Sequence, residues 1–265
     1  MLKIAFLAFL QGVAEFLPIS SSGHLVISQH FLGVHIDGLR LDIALHVGTL
    51  ISIVVFYRTQ LGRILMNCLS PRVASIDRRE AWLFVLKIFV SSIPAILVYF
   101  LLKDYIEGFF EDARIVGAFL IFTGIVLITT RFLPKGYKGV SFLKALFMGI
   151  AQALALLPGV SRSGMTLASA RMSAVEAEKA AEFSFLMSAP LILGALVLEI
   201  IKSFGESEAS ASAQVSWPML IFGMIVAAIV GYFSLKILVK ALKGRWFWLF
   251  GPYCILAGIM TMLFV

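Results

Sequence analysis

Charge is scarce in this sequence. Of its 265 residues, 14% are Asp, Glu, Lys or Arg, against about 25% in a typical soluble domain. Cysteine is scarcer still. Cys68 and Cys254 fall in different segments, so neither a disulfide framework nor a thiolate metal site is expected. Basic residues outnumber acidic ones by 22 to 15, giving a net charge of +7. No basic run is interleaved with aromatics, so the surplus marks no nucleic-acid partner. A cleavable leader is not expected either. Residues 1–17 begin with Lys3 and an apolar run, but Gln11 and Glu15 interrupt it and no small-residue cleavage site follows.

Apolar surface is what the chain has in excess. Hydrophobic residues make up 60% of it, with 21 glycines besides, and the mean hydropathy is +0.99. A soluble domain averages about 45–50% apolar with glycine included. A soluble enzyme, a disordered chain and a nucleic-acid-binding domain are thereby excluded. The expected class is an all-α polytopic membrane protein forming a single integral membrane domain over residues 1–265.

Six segments read as spanning helices: 41–57, 82–102, 114–132, 182–201, 217–238 and 246–265. Each approaches the ~20 residues that cross a ~30 Å hydrocarbon core. Lys and Arg collect in cytoplasmic loops. Three segments qualify: 58–80 with Arg58, Arg63, Arg72, Arg78 and Arg79; 131–144 with Arg131, Lys135, Lys138 and Lys144; and 236–245 with Lys236, Lys240, Lys243 and Arg245. The opposite loops carry Asp104, Glu107, Glu111 and Asp112, or Glu206 and Glu208.

Two apolar stretches, 1–34 and 142–171, are broken in the middle by Pro, Gly and Ser. A single crossing by either would spoil the charge alternation. Both are therefore read as re-entrant helical hairpins, whose polar backbone at membrane depth needs protein or a water-filled cavity around it. They also resemble each other at a constant offset of 141. Leu2-Lys3 matches Leu143-Lys144, Gln11 matches Gln152, and Ser20-Ser21-Ser22-Gly23 matches Ser161-Arg162-Ser163-Gly164. Pro18 and Pro158 sit one position out of register. Each copy is a hairpin followed by three spans, an odd number, so the second copy is inserted upside down. The expected repeats are 1–133 and 142–265, with both termini outside.

The hairpin breaks hold the chemistry. An ionisable group at the bilayer centre costs roughly 2.5–3.5 kcal/mol on insertion scales, yet Glu15, His24 and Arg162 all lie in or beside the breaks. Gln11 and Glu15, four apart, share one helix face; that face suits a divalent cation or an oriented water. Each Ser/Gly break exposes backbone N–H groups where a helix restarts, which favours an anion, phosphate above all. Arg162 offers a planar fork of donors to phosphate oxygens. The hydroxyls of Ser20, Ser21, Ser161, Ser163 and Thr166 add neutral donors, and His24 exchanges a proton near neutral pH. Taken singly, each has a plainer reading: small residues for close helix packing, Glu15 as a neutral buried acid, Arg162 as a cap on carbonyls, His24 as structural. Their convergence in two matching breaks favours an intramembrane site for a phosphate ester or phosphoanhydride. Asp42 and His46 read as an interfacial pair, with a supporting role behind the site as the alternative. Glu199 reads as interfacial. Ser173-x-x-Glu176 reads as a capping box with no chemistry.

Gln11-Gly-Val-Ala-Glu15-Phe-Leu-Pro-Ile-Ser-Ser-Ser-Gly-His24 resembles the (Glu/Gln)-x-x-x-Glu motif and following Ser/Gly/His segment of the bacterial undecaprenyl-diphosphatase family, also called bacitracin-resistance proteins. Pro158-Gly-Val-Ser-Arg-Ser-Gly164 is similar to that family's Pro-Gly-x-Ser-Arg-Ser-Gly motif. Length and hydropathy agree along the whole chain. Gln11 stands where some members carry Glu, which leaves one carboxylate fewer for a cation.

The resemblance implies a plasma-membrane phosphatase that converts undecaprenyl diphosphate to the monophosphate, returning the lipid carrier to peptidoglycan synthesis and conferring bacitracin resistance. It implies a loosely bound divalent cation, Mg²⁺ or Ca²⁺, and a site open to the outer face. The family's functional positions fall on Gln11, Glu15, Ser21, His24, Ser161, Arg162 and Thr166. Glu15, Ser21, His24 and Arg162 are then the catalytic candidates. Ser20, Ser161, Arg162, Ser163 and Thr166 are the phosphate ligands, and Glu15 with Gln11 are the cation ligands. Ser21, His24 or water remain alternatives for the nucleophile. The expected partners are the lipid substrate and the bilayer, with a homodimer as the assembly to test. The rival class is a transporter or flippase for a lipid phosphate or anion, since inverted repeats with broken helices are a transporter design.

Overall fold

A computed structural model describes residues 1–32, 39–70, 73–205 and 216–264. Residues 33–34 of the first hairpin, Arg72, Glu206, Glu208 and the side chain of Glu199 lie outside the described residues. All regular elements among the described residues are helices. The first hairpin is α1 (Leu2–Ala14) and α2 (Ser21–Leu32). Then come α3 (Leu39–Phe56), α4 (Arg58–Leu69), α5 (Ser75–Phe109) and α6 (Ala113–Thr129). The second hairpin is α7 (Phe142–Leu154) and α8 (Arg162–Met172), followed by α9 (Ala177–Leu186), α10 (Ala189–Gly205), α11 (Trp217–Lys243) and α12 (Phe250–Phe264).

Five stretches are long and apolar enough to cross a membrane: Ser75–Phe109, Ala113–Phe132, Ala177–Leu198, Trp217–Lys243 and Phe247–Phe264. Leu41–Phe56 makes a sixth when joined to Arg58–Leu69, to which it is bent by 74°. The protein is thus a multi-pass helical membrane protein. α1 and α7, at 13 residues each, rise only about 20 Å and stop short of crossing.

The spans differ from the sequence reading in three places. Residues 58–69 are helical where a loop was expected, and no side chain of α4 is buried; its arginines are compatible with a helix lying along a membrane surface. α5 spans Ser75–Phe109 through Pro94 and kinks at Leu102, whose φ of −125° and ψ of 15° are not helical; the part before the kink alone rises about 40 Å, so it outreaches the bilayer core and carries its charged ends into water. Ser173 and Glu176 form no capping box. Ser173 ends α8, Ala174 takes a φ of 54°, and Glu176 starts α9 without a side-chain cap. The Glu176 N–H donates instead to Lys138 O at 3.0 Å. A strap from residues 135–140 therefore crosses here and turns the chain.

Small residues decide how the helices meet. α6 lies on α12 through two glycine pairs, Gly117 with Gly258 and Gly124 with Gly251. A Cβ on Gly124 would stand 2.6 Å from Gly251 O, and one on Gly251 would stand 2.6 Å from Gly124 O. Such backbone approach is how helices associate without a hydrophobic driving force. α3 packs on α11, α7 on α5, and α1 on α11. Phe16, Phe183, Phe185 and Phe247 fill the interior, with Phe16 edge-on to Phe185 at 5.5 Å. Leu97, Phe100, Ile225 and Phe233 point outward, a surface suited to lipid.

Candidate active site

The two hairpin turns meet. α1 ends at Glu15, whose N–H donates to Gln11 O at 2.9 Å. The chain then turns through Pro18 and Ser20, where φ is 68°. Ser20 Oγ accepts from Gly23 N at 3.3 Å, so α2 restarts there. In the second hairpin Gly159 takes a φ of 95° that suits only glycine. Ser161 Oγ then accepts from Gly164 N at 3.2 Å and starts α8. Thr123 of α6 clamps this turn by donating to Gly159 O at 3.0 Å and accepting from Ser161 N at 3.1 Å. Ser163 Oγ, donating to Leu17 O at 3.4 Å, joins the two turns. Cys254 donates its thiol to Pro18 O, and both cysteines are free.

A charged cluster forms where they meet. The Glu15 side chain is 7% exposed and that of Arg162 16%. Arg162 Nη2 donates to Glu15 Oε1. Glu15 Oε2 accepts from Gln11 Nε2 at 3.1 Å and from Ser21 Oγ at 2.9 Å. His46 Nε2 stands 3.7 Å from the same oxygen. Its Nδ1 faces Asp42 O at 2.7 Å. A carbonyl only accepts, so Nδ1 carries the proton and Nε2 presents a lone pair, or a second N–H when the ring is charged. Two guanidinium-carboxylate partners out of water are costly unless matched, and removing one would strand the other.

A cavity of about 330 Å³ opens on this cluster, lined by Glu15, Ser20–Ser22, Asp42, His46, Gln152, Ser161, Arg162 and Ser188 among others. Two helix N-termini, those of α2 and α8, face it. Several polar atoms here are buried and have no hydrogen-bond partner: Gln11 Oε1, Arg162 Nη1, and both amide atoms of Gln152. Buried polar groups are rarely left so; of these atoms Arg162 Nη1 and Gln152 Nε2 are donors, which an arriving anion would satisfy.

Among the residues singled out from sequence, Gln11, Glu15, Ser20, Ser21, Ser161 and Arg162 come together. Four do not face the cavity: Gln11 is fully buried behind Glu15, and His24, Ser163 and Thr166 are engaged elsewhere. His24 Nδ1 donates to Ser20 O at 2.9 Å, and its Nε2 accepts from Tyr253 Oη at 2.7 Å. Ser163 turns to Leu17 O. Thr166 Oγ1 is fully buried, bonding Arg162 O at 2.8 Å and Ser184 Oγ at 2.6 Å. Conversely, His46 and Asp42 line the cavity, where a plain interfacial pair was expected. Gln152 had been noted only as the repeat-mate of Gln11, a pairing that could have flagged it.

For a divalent cation the donor set is thin. Among the described residues no group of three or more His, Cys, Asp or Glu side chains is arranged to hold a metal. Two carboxylates line the cavity, Glu15, already paired with Arg162, and Asp42, and two amide oxygens beside them are orphaned, Gln11 Oε1 and Gln152 Oε1. That set fits Mg²⁺ as it usually binds, through one or two protein oxygens plus substrate phosphates and water. It does not make a resident cage.

Fold and cavity together define a class: a multi-pass helical membrane protein with an anion-receiving site between two broken helices. Residues 4–260 match the family described as bacitracin resistance protein BacA, and the chain belongs to that family. It is 35% identical over 264 residues to a protein named undecaprenyl-diphosphatase from Halothermothrix orenii, covering 98% of this chain and 96% of the relative. Proteins of the same name from Desulforapulum autotrophicum and Methanosphaera stadtmanae are each 38% identical, over 97% and 99% of this chain and 95% and 97% of their own lengths.

Proposed function

We infer that this chain is an undecaprenyl-diphosphatase, an integral membrane hydrolase that releases the terminal phosphate of undecaprenyl diphosphate and leaves the lipid monophosphate. The full-length family match supports the activity. The observation that carries it to particular atoms is Ser21 Oγ donating to Glu15 at 2.9 Å beside a guanidinium with a free Nη1. A nucleophile in reach of a base that is itself held by a third group is the general arrangement for covalent catalysis.

The diphosphate sits against Arg162 Nη1, the Gln152 amide and the free N–H groups at the starts of α2 and α8. Glu15 takes the Ser21 proton as Oγ attacks the terminal phosphorus. The bridging P–O bond breaks, and undecaprenyl phosphate leaves with the bridging oxygen, which takes the proton from Glu15 and restores its carboxylate. Water, deprotonated by Glu15, then cleaves the Ser21–phosphate bond and frees inorganic phosphate. His46 faces the carboxylate, its Nε2 standing 3.7 Å from Glu15 Oε2. His24, tied to Ser20 O and Tyr253, positions the first turn. Glu15 and Gln11 are the protein ligands for Mg²⁺ or Ca²⁺, which when bound supplies neutralisation of phosphate charge. Catalysis rests on positioning and charge stabilisation, as is usual for phosphoryl transfer.

The lipid tail runs between spans, which is why this hydrolase belongs in a bilayer. The basic segments 131–144 and 236–245 support a cytoplasmic placement for that end. The cavity and both termini then face outward in a bacterial plasma membrane, with repeats at 1–133 and 142–265.

The test is inorganic phosphate release from undecaprenyl diphosphate by protein purified in detergent, with Mg²⁺, Ca²⁺ or EDTA. Release by wild type, lost in Ser21→Ala and Glu15→Gln, is expected. Phosphoserine trapped at Ser21 after an acid quench would establish the covalent route. A folded wild type silent under every cation overturns the hydrolase reading in favour of transport.

A further inference from the structure

A second cavity, about 200 Å³, lies at the far end of α8. The helix starts at Arg162 in the first cavity and reaches Arg171 in this one, nine residues or about 14 Å on. Lys135 from the strap, Arg171, Lys243 and Arg245 line it, with Glu176 and Glu178 opposite. The two acids are already spent. Glu176 pairs with Lys179 at 2.7 Å, and Glu178 pairs with Lys243. Three cations are left with no acidic partner among the described residues. Arg171 uses Nη2 on Leu133 O at 3.3 Å, while its Nε is buried without a partner. Arg245 is close enough to repel Arg171 electrostatically.

Helix dipoles explain part of this. Arg171 sits in the last turn of α8 and Lys243 in that of α11, and a cation at each C-terminus is favourable. Arg245 is the left-handed residue that closes α11, with a φ of 62° and the following Trp246 N–H donating to Ala241 O at 3.2 Å; that turn fixes its backbone but supplies no acidic partner for its guanidinium. The start of α9 faces the same space, and its cap residue Glu176 makes no side-chain cap bond. Its first N–H groups therefore add donors to the uncompensated guanidiniums.

We propose that this cavity is a second anion site, separate from the catalytic one, that holds a phosphate group carried by a phospholipid headgroup or free in solution. Two guanidiniums, an ammonium and a helix N-terminus are the donor set that phosphate oxygens satisfy. Its position at the basic end of the molecule suits anionic headgroups, which basic pockets between helices recognise.

The test uses the purified full-length protein in detergent and follows its melting temperature. One arm adds inorganic phosphate against matched chloride; the other adds short-chain phosphatidylglycerol against phosphatidylcholine. A Glu15→Gln/Arg162→Gln double variant silences the catalytic cavity without stranding a charge. Ligand-dependent stabilisation is expected in wild type and in this double variant. In Arg245→Gly the apparent Kd should rise about tenfold or more, while the unliganded melting temperature stays level or rises because glycine relieves the φ. Lys135→Gln, on the exposed strap, should weaken binding in the same direction. A response to phosphate alone identifies free phosphate as the ligand, and to phosphatidylglycerol alone a headgroup; a response to both identifies the phosphate group itself. No stabilisation by either ligand overturns the proposal. So does a shift that Arg245→Gly and Lys135→Gln leave untouched, or one that vanishes in the catalytic double variant.

Discussion

Glu15 is the residue on which most contacts converge, and its neighbours define what each substitution should do. Glu15→Gln keeps the shape but removes both the base and the partner of Arg162; phosphate release should fall by ~10²–10⁴, the range typical for losing a positioned acid–base group. Gln152→Leu is more discriminating. Both amide atoms of Gln152 are buried and unpartnered, so leucine should cost no stability and should raise Tm, since an unsatisfied buried amide is itself unfavourable. If the amide binds diphosphate, KM should rise about tenfold with kcat much less changed. Steady-state kinetics beside a melting curve would check both halves. Glu15 and Arg162 were legible in the sequence because charge in a hairpin break stands out against apolar surroundings. Gln152 and His46 were not, because a lone polar residue on an apolar helix gives no sign of what faces it until the helices are packed.

Elements set where those residues stand. Each hairpin turn is fixed by a serine that caps the next helix, and Ser161→Ala should cost about 1 kcal/mol of stability while loosening Arg162. The α6–α12 seam is less forgiving. Gly124→Leu would push a side chain into Gly251 O, 2.6 Å from where its Cβ must go, and overpacking of this kind costs roughly 1–3 kcal/mol. Thermal unfolding in detergent should show that loss, and activity should fall with it because Thr123, next in sequence, clamps the second turn. The broken hairpins could be read in advance since Pro, Gly and Ser interrupt two runs too long to ignore. α4 could not, because Arg58 and Arg63 carry the signature of a loop whether the backbone is coiled or helical. The Ser173–Glu176 spacing misled for a related reason: the strap at 135–140 supplied the turn's hydrogen bonds from outside the segment.

Across the whole molecule, the arrangement predicts sidedness. In a Cys68→Ser background, Lys138→Cys should be labelled by an impermeant thiol reagent only from the cytoplasm, and Glu107→Cys only from outside; labelling of intact cells against opened membranes would decide it. Composition and loop charge were enough to foresee the number of spans. How the two turns would meet, and that a second cavity would lie behind them, depended on long-range packing that no local pattern encodes. Between Arg162 and Arg171 every residue from Ser163 to Ala170 is buried. α8 is therefore the plug that separates the two cavities. With the two cavities open to opposite faces, as proposed, a transmembrane voltage that elsewhere falls across about 30 Å of hydrocarbon would fall here across roughly half that distance, making the local field about twice as steep. Diphosphate charge settling at Arg162, as proposed, would do electrical work in that field. Turnover in sealed liposomes should then respond to an imposed diffusion potential, and lose that response once an ionophore collapses it.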